Sequence, residues 1–198
     1  MIGAVLLAAG SSHRFGRDKL LASLPDNTPI AVAAASTLVR TVAKVVAVVR
    51  PGSEVLQDLL QCCGTEVVVC PDAGDGMGTS LAWGVAKTSD WHGWIVALAD
   101  MPFVQEETVR AVAEAIAAGA DLAAPCFQGR RGHPVGFGRR YRDGLLALRG
   151  DHGARDIVAA AGEELRLIPR DDPGVIQDID SPSDLLRLPG SWRTSEPR

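Results

Sequence analysis

The sequence predicts an α/β fold: one Rossmann-like, three-layer domain with a mainly parallel sheet. Three observations carry this expectation. Short apolar runs alternate with amphipathic stretches, small and polar motifs fall directly after the apolar runs, and 198 residues suffice for one core without disulfide or metal staples. Strand and helix in alternation demand right-handed crossovers, which lay helices on both faces of the sheet. In such sheets ligands bind beyond the carboxyl ends of the strands.

Taken in chain order, Ile2 to Ala8 is an apolar run and the first strand; Pro29 to Val39 is the first helix. Lys44 to Val49 and Glu66 to Cys70 are further strands, separated by the amphipathic helix Glu54 to Cys62. Thr79 to Lys87 then reads as helix and Trp94 to Leu98 as strand, with Pro102 preventing its normal continuation. Glu106 to Ala118 is helical and Leu122 to Ala124 a strand. After residue 125 the rhythm changes. Cys126 to Phe137 reads as a hairpin or insert turning at Gly129 to Gly132, followed by helices near Tyr141 to Leu148 and Ala154 to Ala161. A later strand is expected at Asp178 to Asp180, before a last helix opening at Ser181-Pro182. The domain is expected to span 1–188, in halves of about 1–104 and 105–188, with a flexible polar tail at 189–198.

A formal charge of −4 argues against a general nucleic-acid binder, whose affinity rests on a basic surface. Cys62, Cys63, Cys70 and Cys126 lack C-x-x-C spacing, so they are read as reduced core thiols rather than a zinc site. No apolar run reaches the ~18 to 20 residues of a membrane helix, and Met1 to Ala9 has no basic n-region or cleavage pattern. A cytoplasmic protein without membrane contact is expected.

The most informative segment is Val5 to Leu21, an apolar strand running into a small, polar, basic loop. Ala8, Ala9, Gly10, Ser11 and Ser12 carry little side-chain bulk, so successive backbone N–H groups can approach an anion. Arg14, Arg17 and Lys19 add cationic charge; Arg17 equally suits a solvated surface. A strain-relieving turn is the bland alternative, and three basic residues within six positions count against it. The loop is neither a Walker loop nor a G-x-G-x-x-G fingerprint, because Gly16 is followed by Arg17, Asp18 and Lys19 and Gly10 has no glycine two residues on.

What the segment Leu7 to Lys19 does resemble is the signature L-A-x-G-x-S-x-R-M/F-G-x-x-K of the MobA-like nucleotidyltransferases. Further segments are similar to that family's and stand in its order: Gly76 to Leu81, Leu98-Ala99-Asp100-Met101-Pro102, Gly132-His133-Pro134-Val135, Gly150 to Arg155, and Asp178 to Pro182. Ala8-Ala9-Gly10, Gly132-His133-Pro134 and Gly150 to Arg155 most resemble the molybdenum cofactor cytidylyltransferase branch, whereas the guanylyltransferase branch typically opens Leu-Ala-Gly-Gly. The chain departs from the family at Cys70 and Ala73, where Asn and Trp are usual.

The resemblance implies a fold of the nucleotide-diphospho-sugar transferase type and a Mg²⁺-dependent transfer of CMP from CTP, or GMP from GTP, to a molybdopterin-type phosphorylated acceptor. It further implies a molybdoenzyme or chaperone as partner. A sugar-phosphate or other metabolite-phosphate acceptor is the alternative within the fold; a non-catalytic nucleotide-binding partner in molybdoenzyme maturation is the alternative of another class.

Roles then attach to residues. Arg14 and Lys19 are the candidate phosphate contacts. With Asp100 they form the catalytic set; Leu7, Ala8, Ala9, Gly10, Ser11, Ser12, Gly76 and Ser80 join them on the nucleotide. Asp100 ends an apolar run, where a carboxylate suits Mg²⁺ as well as a turn. Asp178 and Asp180 both qualify as a second metal acid; Asp178 is preferred, since Asp180 has the stronger helix-capping alternative. Ser80 fits a nucleotide contact and a helix N-cap about equally. His133, Asp151 and Arg155 are assigned to the acceptor, the last two spaced to share a helix face with each other.

Overall fold

The computed structural model describes residues 1–10 and 18–186. In chain order the elements are β1 (Ile2–Ala8), α1 (Ile30–Val39), β2 (Val45–Val49), α2 (Glu54–Cys62), β3 (Glu66–Val69), α3 (Met77–Lys87), β4 (Gly93–Leu98) and α4 (Glu106–Ala117). Then come β5 (Leu122–Phe127), β6 (Arg130–Arg131), β7 (Val135–Gly138), α5 (Arg142–Leu146), α6 (Arg155–Ala161), β8 (Leu165–Pro169) and α7 (Pro182–Leu186).

The sheet runs β3-β2-β1-β4-β7-β5-β6, with β8 on the other edge of β5. β1 pairs in parallel with β2 and β4, β2 with β3, and β5 with β8. β7 is antiparallel to both β4 and β5, so the expected mainly parallel sheet carries one reversed strand near its middle. Burial on both faces explains why β2 and β4 read as apolar runs: all of β2 and all but Leu98 of β4 are buried.

Side chains alternate across the pleat and so feed two cores. Ala4, Leu6 and Ala8 of β1 pack with Ile30, Leu38, Leu60 and Val112 of α1, α2 and α4. Val5 packs on the opposite face with Leu81, Val85, Leu145 and Val158 of α3, α5 and α6. The closeness of α3 to the sheet rests on Gly84, where a Cβ would come within 2.7 Å of Val5 and 2.8 Å of Val48.

Several sequence expectations need correction. The hairpin after residue 125 is β5–β6 turning at Gln128 and Gly129, both with positive φ, and β7 is a separate central strand. No strand occupies Asp178–Asp180; the later strand is β8, and residues 177–180 are irregular. The helix expected over Tyr141–Leu148 is shorter, Arg142–Leu146. All four cysteines are free, but only Cys70 is buried and Cys62 is exposed. The tail Pro189–Arg198 lies outside the described residues, among which no helix is long and apolar enough to cross a membrane.

Asp172 stitches the C-terminal segment to the body. Its buried carboxylate accepts hydrogen bonds from Gln105 N (3.0 Å), Thr108 Oγ1 (2.6 Å) and Gly174 N (3.0 Å). Farther along, His133 N donates to Val175 O and Ile179 N to Asp100 O, at 2.8 and 2.9 Å. Those two bonds carry residues 178–180 to the carboxyl end of β4.

Candidate active site

Parallel β1, β2 and β4 end on the same side, so the residues after them share one rim. Ala9 and Gly10 follow β1, Arg50 follows β2, and Asp100 follows β4 by two residues. With Leu7, Lys19, Gly76, Met77, Ser80 and Asp151 they line a cavity of about 410 Å³. A second cavity, about 450 Å³, adjoins it and is walled by apolar Leu81, Val96, Val135, Phe137 and Val158, with Arg131, His133, His152 and Arg155 among its polar residues. Leu7, Met77, Leu98 and Asp151 line both, which makes the two cavities one cleft with a shared partition.

Lys19 is the electrostatic centre of the first cavity. Its Nζ donates to Asp100 Oδ2 at 2.9 Å and to Asp180 Oδ1 at 2.8 Å. The lysine side chain is 13% exposed, against 23% for Asp100 and 54% for Asp180. Burial pulls the ammonium pKa down, but the bonds to Asp180 and Asp100 outweigh it, and the net shift is upward. Asp178 shifts up as well, first because it is partly desolvated and then because Asp180 and Asp100 are like charges nearby. Three carboxylates and one ammonium thus form one coupled group, although among the described residues no set of three or more His, Cys, Asp or Glu is gathered closely enough to hold a metal alone.

Asp184, not Asp180, performs the helix-start capping. Its Oδ2 accepts from Asp180 N, Ser181 N and Ser181 Oγ, at 3.0, 2.7 and 2.8 Å. The Asp180 carboxylate is left to Lys19. Arg50 closes the opposite side, donating to Gly10 O at 3.2 Å and Asp18 Oδ2 at 2.9 Å. Asp18 in turn caps the short turn that carries Lys19, accepting from Leu20 N at 3.1 Å.

The turn into α3 forms the third wall. Gly76 has φ +121°, and a Cβ there would lie 2.4 Å from Asp151 Oδ1; only glycine lets the chain enter α3 against the 150–153 loop. Gly78 N donates to Gly150 O at 2.8 Å, locking the two segments together. Because α3 begins at Met77 with Gly76 as its cap, Ser80 lies inside the helix and is no N-cap; it is 3% exposed and borders the cavity.

Of the residues expected at the nucleotide, Leu7, Ala9, Gly10, Lys19, Gly76 and Ser80 line the first cavity. Ala8 instead points into the α1 core. Ser11, Ser12, Arg14 and Arg17 lie outside the described residues. Of the three acceptor-side residues, His133 and Arg155 line the second cavity and Asp151 lines both. Asp151 and Arg155 do not share a helix face, because α6 begins only at Arg155. His133 is held by its backbone bond to Val175; burial, then the Arg131 charge, push its imidazole down to about 4 despite Asp100 and a Val96 backbone bond. Among the described residues its buried Nδ1 has no hydrogen-bond partner. Sequence reasoning missed Arg50, Met77 and His152 as lining residues; Arg50 obeyed the same strand-end rule as Asp100 and was findable by it.

Residues 4–165 match the MobA-like NTP transferase domain. The chain belongs to that family. Among relatives of this MobA-like protein, nicotine blue oxidoreductase of Paenarthrobacter nicotinovorans is 30% identical over 196 residues, covering 94% of this chain and 96% of that protein. Purine catabolism protein PucB of Bacillus subtilis (strain 168) is 28% identical over 91% of this chain and 92% of its own length. Among solved structures, Rv0371c of Mycobacterium tuberculosis H37Rv superposes with a TM-score of 0.83 at 26% identity, over 94% of this chain and 95% of that one. The same mycobacterial protein in complex with manganese gives 0.79 at 25% identity, over 94% and 97%. The fold and the nucleotidyltransferase family expected from the sequence are therefore those of this chain.

Proposed function

We propose that this nucleotidyltransferase moves CMP from CTP to the phosphate of a molybdopterin-type acceptor and releases pyrophosphate. The observation that carries the reading is the double cleft: a small-residue cavity holding Lys19, Arg50 and Asp100 beside an apolar cavity bordered by Arg131, His133 and Arg155, with Asp151 lining both. A triphosphate suits the first and a largely apolar molecule bearing an anionic group suits the second.

In this reading an acceptor phosphate oxygen attacks the α-phosphorus in line as pyrophosphate departs. Residues contribute position and charge neutralisation, and neither a protein nucleophile nor a general base is needed, since a monoester is already ionised. Lys19, with Arg14, contacts the phosphates. Arg50 joins Lys19 at the cavity wall. Gly10 offers its backbone N–H.

The carboxylates fit a divalent cation: Asp100 and Asp180 converge on a point already taken by a positive charge, the Lys19 ammonium, and both are the hard oxygen donors that Mg²⁺ prefers. Asp178 stands close enough to feel both. Asp100 and Asp180 would hold Mg²⁺ or Mn²⁺ there, and the ion would supply charge compensation for the triphosphate. The manganese complex of the mycobacterial structure supports that reading.

Cytidine preference rests on Ala9, which lines the cavity at the position where, by the family resemblance, guanine-using relatives typically carry glycine. The deciding experiment is pyrophosphate release from CTP, GTP, ATP and UTP, with and without acceptor. CTP is expected to win and Ala9→Gly to narrow its lead, a methyl-sized selection being worth about 1–3 kcal/mol. GTP preferred at equal concentration defeats the cytidylyl reading, and no release from any nucleotide favours a binding module.

A second reading draws on the relative named nicotine blue oxidoreductase. The apolar second cavity suits a flat heteroaromatic as well as a pterin. NAD(P)H oxidation in the presence of a heteroaromatic acceptor, without pyrophosphate release, is the outcome that selects it.

A further inference from the structure

We infer that Lys19 is an internal counter-cation that occupies the divalent-metal position in the nucleotide-free protein, so that metal enters efficiently only together with the triphosphate. The inference rests on the metal reading proposed above.

Two carboxylates far apart in sequence, on Asp100 and Asp180, meet at the Lys19 ammonium at 2.9 and 2.8 Å. Their meeting is built into the backbone, because Ile179 N donates to Asp100 O and the Asp184 carboxylate takes over the capping around Asp180. A divalent cation bound by these two carboxylates requires the same space and the same oxygen lone pairs. Ammonium and metal therefore exclude one another.

Charge sets the order of events. With Lys19 in place the two carboxylates keep a net charge of about −1, whereas a divalent cation brings the pair to about zero and leaves the displaced ammonium facing a metal of its own sign. Metal alone must break two charge-assisted bonds and give the ammonium nothing in return. A metal–triphosphate complex supplies both halves of the exchange: the cation takes the carboxylates and the phosphate oxygens take Lys19, whose side chain already lines the nucleotide cavity. Lys19 thus guards the site against free metal and moves onto the phosphates when nucleotide arrives.

The test is Mn²⁺ binding, read by the electron paramagnetic resonance signal of free Mn²⁺, on the full chain with no nucleotide present. Lys19→Met and, as a second variant, Lys19→Gln should bind Mn²⁺ about ten- to a hundredfold more tightly than wild type, the size expected when a competing pair of charge-assisted hydrogen bonds is removed. With CTP added the order should reverse, because the variants lack the phosphate contact. Arg50→Gln removes a positive charge from the same cavity without touching either carboxylate and should leave Mn²⁺ affinity nearly unchanged.

An equal gain in Arg50→Gln would trace the effect to net charge and overturn the inference. Lys19 variants no tighter than wild type, while Asp100→Asn still weakens Mn²⁺ binding, would also overturn it and leave the metal reading standing. If Asp100→Asn and Asp180→Asn both leave Mn²⁺ affinity untouched, the metal reading falls and the inference with it.

Discussion

At the scale of residues, the proposed chemistry concentrates in the group Lys19, Asp100, Asp178 and Asp180. Asp100→Asn keeps the shape and the bond from Ile179 while halving what the carboxylate offers a cation, and it is expected to lower kcat by on the order of a hundredfold or more. Lys19→Ala is expected to lose roughly ten- to a hundredfold in kcat/KM while the fold persists, since its ammonium bonds Asp100 and Asp180 at the cavity rim, at 2.9 and 2.8 Å. Unchanged pyrophosphate release in either variant removes that residue from the reaction. His133 gives a pH prediction with a definite sign. Unfolded, it takes a proton near 6.5; folded, it resists until about 4, mainly because burial disfavours the cation and secondarily because Arg131 lies near. Between those values the unfolded state binds more protons, so acidification removes stability, by at most ~3 kcal/mol. Urea midpoints measured from pH 7 to 4 should fall more steeply for wild type than for His133→Asn. Parallel slopes would show that the imidazole titrates alike in both states.

At the scale of elements, the 172–180 segment does more than its lack of regular structure suggests. Asp172 satisfies the backbone N–H of Gln105 and the Thr108 hydroxyl at the start of α4, where the helix dipole also favours an anion, and holds Gly174 N besides. Asp172→Ala strands three donors, two of them buried, and should cost roughly 2–4 kcal/mol by urea unfolding, with Asp172→Asn milder because it keeps one acceptor oxygen. A change below about 0.5 kcal/mol would mean that water replaces the carboxylate. The strands legible in the sequence were β1 to β5, each carrying an apolar run; β2 and most of β1 and β4 are buried, whereas the more exposed β3 was marked by Val67-Val68-Val69 alone. β7 was hidden because Val135-Gly136-Phe137-Gly138 spends two of four positions on glycine, packed tightly against Ile116 and Asp121. β8 was hidden because Arg166, Leu167 and Pro169 face solvent at a sheet edge, so no apolar period marks it. Asp100 was legible from its place after an apolar run, whereas Asp178 and Asp180 were picked out by the family resemblance and not by any strand. Which face residues 178–180 present was not, since a backbone bond to the distant Asp100 fixes it and nothing local encodes that bond.

At the scale of the whole molecule, the first cavity exists only when distant segments are assembled: β1 and its exit, Arg50 after β2, Gly76 and Met77 opening α3, Asp100 after β4, and Asp151 before α6. An unfolded chain has no such surface, so a nucleotide that occupies the cavity binds the native state alone and must stabilise it by RT ln(1 + [L]/Kd), about 2.7 kcal/mol at a hundredfold excess over Kd. For a chain of this length that corresponds to a rise in Tm of roughly 5–10 °C. The increment should be largest for CTP with Mg²⁺ or Mn²⁺. It should shrink when the metal is chelated, because Lys19 then stays on Asp100 and Asp180 instead of moving to the phosphates. Thermal unfolding with each of the four nucleotides, with metal and with EDTA, therefore separates three properties in one measurement. Equal shifts for all four bases would deny the pocket any choice of base, and shifts indifferent to EDTA would detach the carboxylates from nucleotide binding. No shift at saturating nucleotide would mean that the cavity between β1 and α3 holds something other than a triphosphate.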